Sequence, residues 1–424
     1  MATLKGMRGL RFSAKAGAIN ELCCPPYDII SEEQRLGYLA TNEHNVIRLE
    51  LPKGEKPYDE AADVLKKWFD EGIIVRDEES LYVYEEEFTV GADTMKVKGI
   101  IGAVKLEEFS KGIVLPHEET LSKAKEDRLN LMKATGCNFS QIYSLYMDDG
   151  NKTRPRVDAL SAGAPEVELT DEAGVIHRLW RTTDPAVIAQ FSADFENRKL
   201  YIADGHHRYE TGINYRNYMR ENGLAKEGDP CDYIMMMLVE MENEGLKVFP
   251  THRLVRDLPD FSREKLLEAA SEYFDVYRLD GISAIEPELD KLYNEGKKAF
   301  VLYCGNGSCD MLVLKDINVM KDVLPGCSEA LRGLDVSVLH SLVLERSLGI
   351  DKANMAAQIN LTYTRVFDEA IDGVDSEKFQ CAFILNPTRV SEIRDVAQAG
   401  EKMPQKSTYF YPKLITGLVM NKLS

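Results

Sequence analysis

Residues 199–216 read KLYIADGHHRYETGINYR. Within them Asp204, Gly205, His206, His207 and Arg208 bring an acid, a glycine, two imidazoles and a guanidinium into five consecutive positions. That mixture suits an anion, above all a phosphate. Gly205 lets the backbone approach a ligand closely. A helix that starts behind it presents unpaired N–H groups and the positive end of its dipole. Arg208 can offer two parallel N–H donors to one phosphate, and His206 and His207 can donate to phosphate oxygens. Asp204 is placed to hold a metal ion, to act as a base or to orient a histidine. A metal shared by the two histidines is awkward, because neighbours on an extended chain point to opposite sides. A plain polar turn facing water is the bland alternative.

Four further stretches carry chemistry-bearing residues. PHEETLSKAKEDR (116–128) clusters His117, Glu118 and Glu119 ahead of a helical pattern. A carboxylate there could deprotonate a substrate hydroxyl or hold Mg²⁺ beside substrate phosphates; a charged surface helix capped by Thr120 explains the same residues. CCPPYDIIS (23–31) sets Tyr27 and Asp28 behind a rigid Pro-Pro, as a ligand wall or a structural corner. PTHRLV (250–255) ends a strand with His252 and Arg253. MPQKSTYFYPK (403–413) holds Lys406, Ser407, Thr408 and Lys413 in an anion-friendly loop, or forms a plain C-terminal strand pair. Arg253, Lys406, Ser407 and Thr408 are the candidates for binding substrate, Lys406 and Arg253 for its carboxylate. No Walker, Rossmann, nucleophile-elbow or zincin motif is present.

The elements that must position these groups can be read from periodicity. Residues 200–203 are a short apolar strand, and the pattern after residue 205 is helical. Ser31 reads as an N-cap with Glu32 and Glu33 behind it. Residues 58–73 show a helical apolar stripe. Residues 80–106 read as strand, turn at Gly91-Ala92-Asp93, and strand. The segment 113–135 runs from strand to helix, 138–146 alternates like a strand, and YIMMMLVE (233–240) reads as a fully buried strand. Beyond residue 262 come helices at 262–274, 284–296, 335–348 and 388–399. Strands fall among them near 276, 299–303, 311–314 and 380–385, and a hairpin-like tail closes the chain.

Composition narrows the classes. With 424 residues the chain exceeds one ordinary core. A net charge of −18 argues against general nucleic-acid binding, which needs basic surface. The eight cysteines include no C-x-x-C pair, so they read as small core residues, with Cys23 a remote candidate nucleophile. MATLKGMRGLRF lacks the apolar segment of a signal peptide, and no apolar run approaches a membrane span. A cytoplasmic, membrane-free protein with reduced thiols is expected.

Taken together, CCPPYDIIS, PHEETLSKAKEDR, LYIADGHHRYET, LDVSVLH and MPQKSTYFYPK resemble a widespread bacterial and archaeal family of unknown function. The DGHHR segment is similar to the ParB/sulfiredoxin superfamily, and its free-serine kinases carry the same five residues. That resemblance implies a mixed α/β fold with a ParB/sulfiredoxin-like nucleotide-binding core formed by residues 1–55 and 175–258. An inserted α+β segment at 56–174 and a C-terminal α/β subdomain at 259–424 would complete the chain. It also implies that residues 204–208 form the nucleotide-phosphate and metal site, with ATP or ADP and Mg²⁺ as cofactors. An acidic residue, Glu118, Glu119 or Asp28, would then activate the acceptor hydroxyl. The expected function is phosphoryl transfer to a small hydroxylated metabolite, free L-serine first among them, in a chain that could form a homo-oligomer. A nucleotide-binding regulatory protein is the alternative. A nuclease is disfavoured by the charge, and a sulfiredoxin by His206, which stands where that enzyme needs a cysteine.

Overall fold

The computed structural model describes residues 1–424 apart from Glu119, Leu121 and Ser424 and, of residues 122–124, describes the backbone. The chain divides into two compact units. The first comprises Met1–Pro116, Thr120–Lys247 and Pro412–Ser424; the second comprises His117–Glu119 and Val248–Tyr411. Both mix helices with sheet, as expected for an α/β protein.

The first unit is built on a mixed sheet. Its strand order is Val114–Leu115, Leu200–Asp204, Ile142–Tyr146, Tyr233–Glu240, Asp93–Lys105, Leu81–Val90, Ile176–Thr182 and Val167–Thr170, with Leu4–Lys5 pairing beside Asp93–Lys105. Tyr233–Glu240 is central, parallel to Ile142–Tyr146 and antiparallel to Asp93–Lys105. Its residues from Ile234 onward are all buried, which is why that run is apolar without alternation. The Leu81–Val90 and Asp93–Lys105 pair closes across two residues, with Gly91 in the left-handed region at φ +61°. The core gathers Ile100, Ile142, Leu200, Ile202 and Met236 from the strands against Phe191, Phe195, Tyr209 and Ile213 from helices.

The second unit holds a six-stranded, wholly antiparallel sheet in the order Phe274–Arg278, Cys309–Leu314, Ala299–Tyr303, Cys381–Leu385, His252–Val255 and Leu361–Thr364. Phe274, Phe300, Leu312 and Phe383 pack with Leu339 and Leu342 on one side. Ile285, Leu289, Ala370 and Ile371 cover Val301 and Ile384 on another.

The expected helix over 335–348 is α-helical at Asp335–Val338 and then π-helical at Leu339–Glu345. Apolar periodicity does not distinguish those two helix types over so short a stretch. The tail is not a hairpin. Asn421–Lys422 pairs with Cys137–Asn138, far away in sequence, so local turn signals could not reveal the partner.

Candidate functional site

The 204–208 turn lies in the first unit between the strand Leu200–Asp204 and the helix His206–Glu221. The strand carries an irregularity between Ile202 and Asp204 where it pairs with Ile142–Tyr146, so the ladder breaks as the turn begins. Gly205 stands at the helix N-cap with φ +93°, a conformation that costs an L side chain roughly 1–2 kcal/mol. It has a second reason to be glycine. A Cβ there would lie 3.0 Å from Arg208 Nε and 3.1 Å from Cζ, because the guanidinium folds back over the turn. The helix is fastened at its far side. Tyr209 donates to the Glu107 carbonyl at 2.8 Å and accepts from the Glu107 N–H at 2.9 Å, and Arg216 donates to the Leu106 carbonyl at 2.8 Å.

Asp204 is the electrostatic centre. One carboxylate oxygen pairs with Lys413 and the other accepts from Arg208 at 2.6 Å. Burial raises the cost of its charge, but Lys413 and Arg208, with a smaller contribution from His206, hold the carboxyl well below its usual range. It is therefore ionised at neutral pH. The second Arg208 nitrogen donates to the Gln141 carbonyl, so the guanidinium is fixed from two sides. His206 and Arg208 are buried, and His207 is half-buried. Asp204 to Arg208 are thus brought together as one constellation.

Around the turn the same unit supplies groups that the sequence did not mark as site residues. Arg128 is buried, donates to the Glu50 carbonyl at 2.6 Å and lies 4.2 Å from the centre of the Tyr27 ring. Tyr27 is pushed up to about 12 by burial, and Asp28, Arg128, Arg208 and Glu50 all act on it. Glu50 is buried and accepts from the Ser140 hydroxyl at 2.9 Å. Its carboxyl is raised by burial, against the pull of Arg128 and Arg208. Lys125 and Thr120 reach the same oxygen of Glu210 at 2.6 and 2.8 Å. A signal for Glu50 existed in the single acid inside the mostly apolar run VIRLEL, where Arg48 is the only other charge. Arg128 and Lys413 lay inside stretches already singled out, but nothing local told which of their cations would turn inward.

The remaining candidates belong to the second unit. Glu118 accepts from the Lys406 N–H at 2.9 Å. Thr408 pairs with His117 Nε2 at 2.9 Å, and Ser407 bonds to the Pro404 carbonyl. Lys406 itself takes φ +58°, and its carbonyl accepts from Arg253 at 3.1 Å. Glu118 and Arg253 therefore brace the 403–408 loop at one residue, holding the N–H and the carbonyl of Lys406. Glu119 lies outside the described residues. Asp28 is exposed on the short turn Tyr27–Ile29 of the first unit.

Among the described residues no three His, Cys, Asp or Glu side chains group closely enough to hold a metal ion. Asp204 is the one carboxylate of the turn and both its oxygens face cations, so the residues present suit an anion better than a metal. The cysteines are free, and most are buried. Burial lifts the Cys23 thiol to about 12, which removes its nucleophilic character at neutral pH. No described helix is long and apolar enough to cross a membrane.

Comparison with known proteins adds the family. Residues 4–337 match a family described as "Protein of unknown function (DUF1015)". No curated protein matches the chain. Among solved structures the chain is similar to a conserved hypothetical protein from Pyrococcus furiosus, at 15% identity over 74% of this chain and 93% of that one, with a TM-score of 0.36. It is also similar to a free serine kinase in complex with AMP, at 15% identity over 72% and 89%, TM-score 0.36. SbnI from Staphylococcus aureus, with a C-terminal truncation, follows at 10% over 74% and 85%, TM-score 0.36. Likenesses of this size carry no argument about the chemistry of the turn.

Proposed function

This chain belongs to the DUF1015 family, whose description assigns no activity, and from the turn itself we propose that residues 204–208 hold the phosphates of ATP or ADP for transfer of a phosphoryl group to a small hydroxylated metabolite, free L-serine first among them. One observation carries the reading. An ionised, half-buried aspartate orients a guanidinium and an ammonium, Arg208 and Lys413, at a helix start built on a left-handed glycine. Phosphoryl transfer asks a protein mainly for positioning and for neutralisation of phosphate charge. In a chain of net charge −18 such a local concentration of cations stands out as purposeful. The resemblance of the DGHHR segment to free-serine kinases supports the same choice of acceptor.

The roles follow from chemistry. Arg208 and Lys413 neutralise phosphate oxygens. His206, His207 and the amides of the first helical turn donate to them. Mg²⁺, which ordinarily arrives with nucleotide phosphates and keeps several waters, would be held mainly by those phosphates. The acceptor hydroxyl needs a carboxylate as base. Asp28 and Glu50 belong to the unit that carries the turn and are the candidates there. A second reading, a nucleotide-binding protein without turnover, is favoured by one fact: Asp204 is committed to two cations and is a weak base.

The test is a thermal-shift screen against ATP, ADP, CTP and GTP with Mg²⁺, each with and without L-serine. A ligand bound only by the native state raises the melting temperature. An adenine nucleotide that shifts the transition, more so with serine, and yields phosphoserine supports the kinase. A shift without product supports the binder. Arg208→Ala should weaken nucleotide binding by about 1.5–3 kcal/mol, the range for a charge-assisted contact. Unchanged affinity in that variant removes the phosphate reading altogether.

A further inference from the structure

Arg253 presents an electrostatic problem within the second unit. It is among the largest fully buried side chains of the protein, 1% exposed. It contacts the Thr251 and Lys406 carbonyls, His340 Nε2 at 3.4 Å and the face of Tyr363 at 5.6 Å. Every one of these partners is neutral, and no carboxylate forms an ion pair with it among the described residues. Burial pulls its pKa down to about 10, so the charge persists at neutral pH. Burial and Arg253 together drive His340 well below its ordinary range. A buried cation without a counter-charge is costly unless something else supplies the anion.

A cavity of about 180 Å³ lies on the far side of two of the side chains that flank this group. It is lined by Ser337, His340 and Ser341 from one helical stretch, and by Met355, Tyr363 and Met403 from elsewhere in the same unit. Two of these, His340 and Tyr363, are the side chains that touch Arg253. Ser337 is 2% exposed, and its hydroxyl is buried without a hydrogen-bond partner. His340 accepts from Arg253 at Nε2, so the neutral ring carries its proton at Nδ1 and is a donor there. Among the charged residues of the lining, Lys352 and Lys402 outnumber Glu345. The helix that carries His340 and Ser341 is π-helical, a rare form that is frequent at functional sites.

We propose that this cavity binds a small monocarboxylate, its anionic group taken by Ser337, Ser341 and His340 and balanced by Arg253 behind them. A void of roughly 150 Å³ accepts a benzene ring, so the ligand has roughly six to ten non-hydrogen atoms. Leu324, Leu331, Met355 and Met403 receive its apolar part. The proposal is independent of the nucleotide reading, since all of these residues belong to the second unit.

The experiment uses the full chain without nucleotide. Binding of hexanoate, benzoate and leucine is compared by calorimetry and thermal shift with binding of hexanamide, benzamide and leucinamide, and with inorganic phosphate. At least one carboxylate should bind tenfold or more tightly than its amide. Arg253→Gln should erase that preference while leaving the weak amide binding in place. Should that variant fail to fold, Ser337→Ala carries the test. It removes an unpartnered hydroxyl and adds no atom, so the fold should survive, and carboxylate affinity should fall severalfold. Three results would overturn the proposal: carboxylates that bind no better than their amides across the panel, phosphate as the only anion bound, or Ser337→Ala binding like the parent.

Discussion

Glu86 should make the protein more stable as the medium becomes acidic, the reverse of the usual behaviour of a carboxylate. It sits on Leu81–Val90 opposite His177, fully buried. Tyr84 donates to one of its oxygens at 3.2 Å and meets His177 Nδ1 at 2.7 Å, while His177 Nε2 faces Asp171 at 3.2 Å. The other Glu86 oxygen is buried without a hydrogen-bond partner. Burial lifts its carboxyl from the ordinary 4.5 to about 7, although His177 and Tyr84 pull the other way. At 1.36 kcal/mol per pH unit, that difference corresponds to roughly 3 kcal/mol. The folded chain holds the proton more tightly than the unfolded chain, so the stabilisation is complete below 4.5 and is lost as the pH climbs through about 7. Glu86→Gln mimics the protonated acid at every pH. Urea unfolding of both proteins from pH 5 to pH 8.5 therefore isolates the effect. The two stabilities should be close at the acidic end, and the variant should lead by up to roughly 3 kcal/mol at the alkaline end. Parallel curves would show that Glu86 titrates as an ordinary carboxyl and that its burial has been misjudged.

Other consequences are simpler. Gly205→Ala places a Cβ in the left-handed region and against Arg208; it should cost about 1–2 kcal/mol in urea unfolding and lower nucleotide affinity along with it. Wild-type values for both would mean that the turn tolerates a side chain. Asp204→Asn leaves Lys413 and Arg208 without their shared anion, and a loss of about 3–5 kcal/mol is expected at pH 7. Because the folded carboxyl sits below its ordinary 3.8, that contribution is full above 3.8 and fades only in stronger acid. The gap between the two proteins in pH-dependent unfolding should narrow there and nowhere else. Thr211 is buried with an unpartnered hydroxyl, so Thr211→Val should raise stability by about 1 kcal/mol in the same unfolding assay. A loss would mean that the hydroxyl bonds to an internal water.

What the sequence revealed tracks how local each determinant is. The Ser31 cap, the helix Pro57–Asp70, the hairpin at Gly91 and the buried strand Tyr233–Glu240 were all legible. A hydroxyl three residues ahead of an amide, or an unbroken apolar run, acts within a few residues. The strand–turn–helix at 204–208 was legible for the same reason, since glycine in the left-handed region is a local demand. Partners distant in the chain were not. Lys413 meets Asp204 across 209 positions, and Asn421–Lys422 finds Cys137–Asn138 across nearly 300. No periodicity encodes such a pairing.

The acidic composition obscured the site for a related reason. Net charge is a sum over the whole surface, whereas a phosphate responds to the few charges within a Debye length of about 8–10 Å. Glu50 is the sharpest case. Counted from the sequence it is one more negative charge, but buried between Arg128 and Arg208 it is pushed toward its neutral form, and it subtracts less from the positive ground around the turn than any surface glutamate would. A chain of −18 can thus keep a cationic pocket, provided that the acids nearest to it are either paired, as Asp204 is with two cations, or desolvated, as Glu50 is. Which acids meet that condition depends on burial, a property of the folded chain that no count of residues contains.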